Sequence, residues 1–328
     1  MGIKPVTNDR LNRRHLLGLG AASGLLGACT LPEQIGRMDR DPIEGGIGGT
    51  GIVGVVTNFG SLIVNGLKIE TNGATRYSNA TGRLTERSIG LGDGLTVEAE
   101  TRGGRLLARR VHVTHPLIGR IQAAAGDGAL LRINGVNVMV EEQARNRARP
   151  GDRVKVSGLW MDNIVVASQI IRTRTDVDVI AGDADMIDGT LSVAGVPISR
   201  NLFGSRAKQG QFVTVLGTFE GQQMAPKHVR LERFTGAAGA LGQLSVEGYL
   251  AQKRTKPEMK LSGLGHSFAR DQKLGPFGAD SRSLFEGGYT DAFAVERGLS
   301  LPGDYGQRRA LFLARAMGVQ TPDWTDIS

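Results

Sequence analysis

Short runs of alternating apolar and polar residues, punctuated by glycine, fill most of this chain. Leu62-Ile63-Val64-Asn65-Gly66-Leu67-Lys68-Ile69 is one such stretch, and Leu131-Arg132-Ile133-Asn134-Gly135-Val136-Asn137-Val138 is a second. Leu191-Ser192-Val193-Ala194-Gly195-Val196-Pro197-Ile198 is a third, and Met259-Lys260-Leu261-Ser262-Gly263-Leu264 a weaker fourth. A period of two predicts strands with one buried face. Asn-Gly between two such runs predicts a hairpin, because both central residues need φ > 0.

Two further anchors follow each clear hairpin in the same order. Gly92-Asp93 precedes Leu95–Ala99, Gly151-Asp152 precedes Val154–Gly158, and Gly210-Gln211 precedes Phe212–Gly217. Here glycine supplies a positive φ and aspartate closes an Asx-type turn ahead of a strand. The last anchor lies 14 or 15 residues further on, at Ala108-Arg109-Arg110-Val111, Ala167-Ser168-Gln169-Ile170 and Ala225-Pro226-Lys227-His228-Val229. Each unit opens with a strand, at Gly51–Asn58, Leu117–Ala123 and Val177–Gly182.

About five short strands in roughly 60 residues suit a small closed barrel, OB-like in size, because closure removes exposed edges. The predicted fold class is therefore mainly β, with tandem small (OB-like, about five-stranded) β-barrel repeats and a C-terminal helix. The repeats are placed at 51–115, 116–175 and 176–235, with a degenerate fourth inside 243–328. Tyr77 to Ile89 is an insertion in the first unit with room for a short helix. Near the end, Asp304 is a predicted N-cap for a helix from Tyr305 to Met317, closed by Gly318. Its apolar residues fall on one side, so it is expected to dock on the last barrel.

The repeat resembles the bacterial family of unknown function DUF5666. The resemblance rests on Gly48-Gly49-Thr50-Gly51-Ile52, the Val-Asn-Gly hairpin, and the Gly-Asp plus Ala-x-x-Ile pattern, over about Gly46 to Phe234. It implies small β-barrel modules in an exported bacterial protein and supplies no activity.

The pattern differs ahead of the repeats. A basic run containing Arg13 and Arg14 leads into an apolar stretch, Leu16 to Ala28, that is too short for a span of about 20 residues. Leu26, Gly27 and Ala28 then precede Cys29, the only cysteine. Residues 1–28 resemble a bacterial lipoprotein signal peptide. That resemblance implies recognition through Arg13, Arg14, Leu26, Gly27 and Ala28, and lipidation of Cys29. It also implies an exported, membrane-anchored protein facing the periplasm, and Thr30 after the cysteine favours the outer membrane. Asn12-Arg13-Arg14-His15-Leu16-Leu17 is similar to a twin-arginine export motif but lacks its Ser or Thr before the pair and its Phe after it. The general secretory route is the alternative. Residues 29–50 are charged and then glycine-rich without periodicity, and read as a flexible tether.

Composition narrows the picture only modestly. The chain has 328 residues, 48 glycines, 5% aromatics and a formal net charge of +8. Without the signal about +5 remains, which permits contact with anionic surfaces but fits a solvated surface equally well. A single cysteine rules out a disulfide within the chain, so stability rests on the core.

Candidate chemistry is sparse. His112 and His115 are three apart on a predicted strand, where side chains alternate faces, so they read as surface residues at a strand end rather than metal ligands. The chain has no Gly-x-Ser-x-Gly elbow, and no spacing links a serine to a histidine. Glu141-Glu142 and the pair Asp183 and Asp185 read as solvated loop carboxylates. The run Asp176, Asp178, Asp183, Asp185, Asp188 does not match a calcium loop. Aromatics in the three units are few (Phe59, Tyr77, Trp160, Phe203, Phe212, Phe219), which argues against a nucleic-acid partner. Neither a cofactor nor a metal is expected.

The sequence thus points to a lipid-anchored cell-envelope protein acting as a non-enzymatic binding or assembly scaffold. Its expected partners are the membrane, through Cys29, and an envelope protein or cell-wall polymer. The alternatives are a periplasmic accessory or sensor subunit of a membrane complex, and a cell-wall carbohydrate-active enzyme whose acidic residues converge from different units.

Overall fold

Turn chemistry sets the hairpins. Asn65 and Gly66 have φ of 57° and 75°, Asn134 and Gly135 of 49° and 76°, and Ala194 and Gly195 of 49° and 81°. That left-handed pair is what a type I′ turn between twisted strands requires. The structure is a computed structural model and describes residues 48–58, 62–145, 148–187, 189–199, 207–231, 233–252, 259–265, 268–269, 277 and 281–301. The signal-like segment with Arg13, Arg14, Leu26, Gly27 and Ala28, the lipidation candidate Cys29, the tether up to residue 47, and the predicted helix at 305–317 lie outside them.

The first barrel is built from β1 (Gly49–Asn58), β2 (Leu62–Val64), β3 (Leu67–Glu70), β6 (Gly94–Arg102) and β7 (Arg105–Val113). β1 pairs with β2, and β2 with β3, in antiparallel fashion. β3 runs parallel to β7, and β7 returns through antiparallel β6 to β1, which closes the barrel. The insertion is a small hairpin, β4 (Arg76–Asn79) with β5 (Gly82–Arg83), followed by a single 3-10 turn at Glu86–Ser88. β1 begins at Gly49, so the last residues assigned to the tether are strand.

The second barrel repeats the order with β8 (Leu117–Ala125), β9 (Leu130–Ile133), β10 (Val136–Val140), β11 (Arg153–Met161) and β12 (Ile164–Arg172). Its closing contact is again parallel, β10 on β12. The chain is therefore mainly β, with two closed five-stranded barrels in tandem.

The remaining strands follow the same order. The third set is β13 (Asp178–Ile187), β14 (Thr190–Val193), β15 (Val196–Pro197), β16 (Phe212–Phe219) and β17 (Met224–Arg230). Among the described residues its closing contact is one parallel bridge, Ile198 to Met224, the same sense as β10 on β12. The fourth set is β18 (Leu241–Gln252), β19 (Met259–Leu261), β20 (Arg282–Thr290) and β21 (Ala292–Ser300), with one parallel bridge from Phe268 to Phe293.

The alanine of the last anchor has a packing role. The pairing of β6 with β7 slips by one residue between Glu98 and Ala99, and that of β11 with β12 between Ser157 and Gly158. A bulge bends the strand so that the small barrel can close. Ala108 and Ala167 are the register partners at those bulges. In the second barrel a Cβ at position 158 would stand 2.2 Å from the Val166 carbonyl oxygen, so only glycine fits.

The sets are joined through their opening strands. β13 adds to β8 in antiparallel pairing, and β18 runs parallel to β1. One apolar core, including Leu117, Ile133, Val156, Ile180, Val213 and Met224, runs through the second barrel and the third set. The first barrel has its own core, around Ile52, Val64, Val97 and Val111. Val53, on the opposite face of β1, packs instead with Leu244, Val246 and Phe285 of the fourth set.

Candidate functional site: a basic cleft between the first barrel and the third strand set

The residues singled out as turns also hold the sets together. The Asn65 amide Nδ2 donates to the Val53 carbonyl (3.0 Å) on its own barrel and to the carbonyl and hydroxyl of Ser245 (3.0 and 3.1 Å) on β18. Asn134 Nδ2 donates to the Ile118 carbonyl (2.9 Å) on β8 and to the Val179 carbonyl (3.2 Å) on β13. Each asparagine thus bridges two opening strands of different sets. Ala194 stands at the same place in the third hairpin and carries no such amide.

Gly92 and Gly151 have φ of 84° and 91°. The Asp93 carboxylate accepts the Gly90 N–H (2.8 Å), and that of Asp152 accepts the Arg149 N–H (2.9 Å). Both reach back three residues to close the turn before a strand. Asp93 also takes the Ser157 hydroxyl (2.9 Å), and the His115 Nδ1 lies 3.3 Å from that same hydroxyl. All three are buried, at the join of the first and second barrels. The serine gives its hydrogen to aspartate rather than to histidine, so His115 is not placed as its base. Burial, then the nearby Lys155, lower the His115 pKa to about 4.

Among the described residues no group of three or more His, Cys, Asp or Glu is placed to hold a metal ion. Three readings of individual groups change. His115 is buried and His112 is half-buried, so neither is a surface residue. Asp183 and Asp185 lie within strand β13 rather than a loop. Glu141 is buried and pairs with Arg282 (3.1 Å), which also pairs with Glu247 (2.6 Å). The second Glu247 oxygen accepts the Val55 N–H (3.0 Å), so this network links the first and second barrels to the fourth set.

A cavity of about 450 Å³ lies between the first barrel and the third set. Alternate residues of a strand share a face. β7 accordingly sends Arg110, His112 and Thr114 into one wall, where Thr96 from β6 and Ser78 from β4 join them. The opposite wall is Phe212 and Thr214 from β16 with Arg230, at the end of β17. Leu231, Arg233 and Thr235, on the segment leading to the fourth set, complete it. Among the described residues no carboxylate lines the cavity.

The carboxylates lie behind it. Glu98, whose side chain is fully buried, accepts Arg110 Nη1 (2.9 Å), the Thr235 N–H (2.9 Å), the Thr235 hydroxyl (2.8 Å) and the Ala237 N–H (2.6 Å). This one side chain clamps the segment after the third set onto the first barrel. Asp183 pairs with Lys260 (3.2 Å) and accepts the Gly263 N–H (3.1 Å), and burial pushes its pKa up.

Arg233 is the pivot of the site. Its guanidinium stacks 3.9 Å over the Phe212 ring, donates to the Gly263 carbonyl and reaches the Thr96 hydroxyl (3.5 Å). Its buried Nε has no hydrogen-bond partner among the described residues. Burial lowers its pKa to about 10. His112 sits among these cations with Nδ1 2.9 Å from the Ser78 hydroxyl. Burial first, then Arg110, Arg230, His115 and Arg233, lower its pKa to about 3, so the ring is neutral.

Sequence reasoning missed Glu98, Arg110, Arg230 and Arg233. Each is a single charged residue on or just after a strand. The pattern along the chain carries no signal that a third set will fold back against the first.

These features define a class of protein: two closed five-stranded barrels in tandem followed by further strand sets, the third of which docks on the first barrel around a polar, cation-lined cleft. Residues 50–112 and 118–171 each match the family described as Domain of unknown function (DUF5666). The two closed barrels are therefore tandem copies of that domain. No curated protein and no solved structure matches the chain.

Proposed function

We propose that the chain is a lipid-anchored bacterial cell-envelope protein acting as a non-enzymatic binding scaffold, with the cleft between the first barrel and the third set as its binding surface. The observation that carries this reading is the construction of the cleft. Its walls come from different strand sets, yet Glu98 fixes one wall to the other through Thr235 and Ala237. A preformed concave surface binds without first having to be ordered. Its polar groups are arginines, hydroxyls and a neutral histidine, which suits holding a ligand. The acidic residues that a carbohydrate-active enzyme would bring together are instead held in separate networks, Glu141 with Arg282 and Asp183 with Lys260. The anchor and the envelope address rest on the signal-like segment and Cys29.

The test is membrane fractionation and cross-linking in cells making the full chain, beside Cys29→Ala and a cleft-filling Thr214→Trp variant. The full chain should sediment with membranes and cross-link to a discrete partner. Cys29→Ala should move to the soluble exported fraction, and Thr214→Trp should remain with membranes but lose the cross-link. Unchanged sedimentation of Cys29→Ala would overturn the anchor, and an unchanged cross-link in Thr214→Trp would overturn the cleft as binding surface.

A further inference from the structure

We propose that the cleft binds the phosphate group of a small polyol, either as a free phosphorylated polyol or as the headgroup of a lipid. This rests on the cleft being a binding surface and names its ligand class. The first argument is charge. Arg110 has Glu98 and Lys260 has Asp183, but Arg230 and Arg233 have no ion pair among the described residues. Arg230 is exposed at the end of β17 and faces the same cavity as buried Arg233. Two guanidiniums with no ion pair among the described residues, Arg233 feeling only the more distant Asp183, match the charge of about −1.5 to −2 on a phosphate monoester at neutral pH, and a carboxylate would satisfy only half of it. The planar guanidinium fork is also the side chain best suited to paired phosphate oxygens.

The second argument is the rest of the lining. Ser78, Thr96, Thr114, Thr214 and Thr235 supply hydroxyls on both walls. In the tautomer that accepts the Ser78 hydroxyl at Nδ1, neutral His112 carries its hydrogen on Nε2 and adds one more donor. The cavity of about 450 Å³ is far larger than a phosphate group. It falls within the roughly 300–1,000 Å³ usual for small-molecule sites. Hydroxyl-rich walls beside Phe212 and Leu231 suit a polyol, whose C–H faces are apolar and whose oxygens pair with hydroxyls. One face of the Phe212 ring is covered by Arg233 and the residue is buried, so it offers little aromatic surface to a nucleobase.

The experiment is titration calorimetry on the full chain carrying Cys29→Ala, with glycerol 3-phosphate, D-glycerate, glycerol and inorganic phosphate as probes. Glycerol 3-phosphate should bind at least tenfold more tightly than D-glycerate and more tightly than inorganic phosphate, and glycerol should not bind. The exposed substitution Arg230→Gln breaks no ion pair, so the fold should persist while affinity for glycerol 3-phosphate falls at least tenfold. In nuclear magnetic resonance the His112 ring signals should move with glycerol 3-phosphate and not with glycerol. Phosphatidylcholine vesicles with and without phosphatidic acid then identify the source. Retention by phosphatidic acid alone assigns a lipid headgroup, and binding of only the soluble phosphate assigns a free ligand. Equal binding of phosphate and carboxylate, or an unchanged Arg230→Gln, overturns the proposal. If no phosphate binds but the Thr214→Trp variant still loses the cross-link, the ligand class is wrong and the binding reading stands. If both fail, both are wrong.

Discussion

Replacing Asn134 by glycine separates two jobs of that residue. Glycine adopts a φ of 49° without steric cost, so the type I′ turn survives. What disappears is the amide that donates to the Ile118 carbonyl at 2.9 Å and to the Val179 carbonyl at 3.2 Å. Asn134 is 2% exposed, so water does not easily take its place. A hydrogen bond contributes about 0.5–1.5 kcal/mol net, and a buried acceptor left without a donor costs about 1–3 kcal/mol. Two bonds lost together should cost about 2–4 kcal/mol. For a folded body of this size that is about 5–12 °C in Tm. The control is Ala194→Gly in the third hairpin, where alanine is held at a φ of 49° with no amide to lose. Relief of the left-handed strain, about 1 kcal/mol, should offset the lost methyl. Urea unfolding of both variants in the Cys29→Ala background measures the difference. If Asn134→Gly and Ala194→Gly unfold at the same urea concentration, the asparagine acts only through its turn and the bridging argument is wrong.

Further expectations follow from the buried contacts. Glu98→Gln leaves Arg110 without a carboxylate and should cost about 3–5 kcal/mol, the usual penalty for breaking a buried pair from one side, as read by chemical denaturation. Gly158→Ala would put Cβ 2.2 Å from the Val166 carbonyl oxygen and should cost about 2–4 kcal/mol, whereas Ala99→Gly at the corresponding bulge of the first barrel should cost about 1 kcal/mol or less. The pH dependence follows from His112 and His115, whose folded pKa values near 3 and 4 lie below the ordinary 6.5. The unfolded chain therefore takes up these protons first, so their contribution is intact above about pH 6.5 and is lost as pH falls toward 4. Asp93 and Asp183, whose pKa values burial raises, act in the opposite sense in the carboxylate range. Unfolding free energies between pH 7.5 and 4.5 should fall for the parent chain and fall less for His115→Gln, and an equal slope in both would refute the histidine assignment.

What the sequence made legible was local. Alternation and Asn-Gly gave the hairpins, because a turn of two left-handed residues is decided by the two residues in it. The Gly-Asp turns are local in the same way, and in the third set the Gln211 side chain likewise accepts the Lys208 N–H (3.0 Å). Alternation also sent His112 and His115 into different surroundings, one toward Ser78 and the cleft, the other toward Ser157. Their burial was not legible, because it comes from neighbouring sets rather than from their own strand. The same holds for Glu98, which reads as one polar position in an alternating strand. Its partners Thr235 and Ala237 are more than 130 residues away. Closure of the barrels was predicted from length and edge chemistry.

The distribution of the hairpin asparagines explains why the cleft can be a fixed feature of so repetitive a chain. Asn65 and Asn134 belong to the two closed barrels, and each reaches into the opening strand of a later set. The closed barrels thus donate and the later sets accept. For the third set those holds come from two directions. Asn134 fixes its opening strand to the second barrel, while Glu98 fixes its exit segment to the first. Arg233 lies on that exit segment and stacks on Phe212 of β16. Moving the third set away from the first barrel would break the Glu98 bonds and expose the buried Arg233 contacts in one step. The two walls of the cleft therefore open together with the fold or not at all.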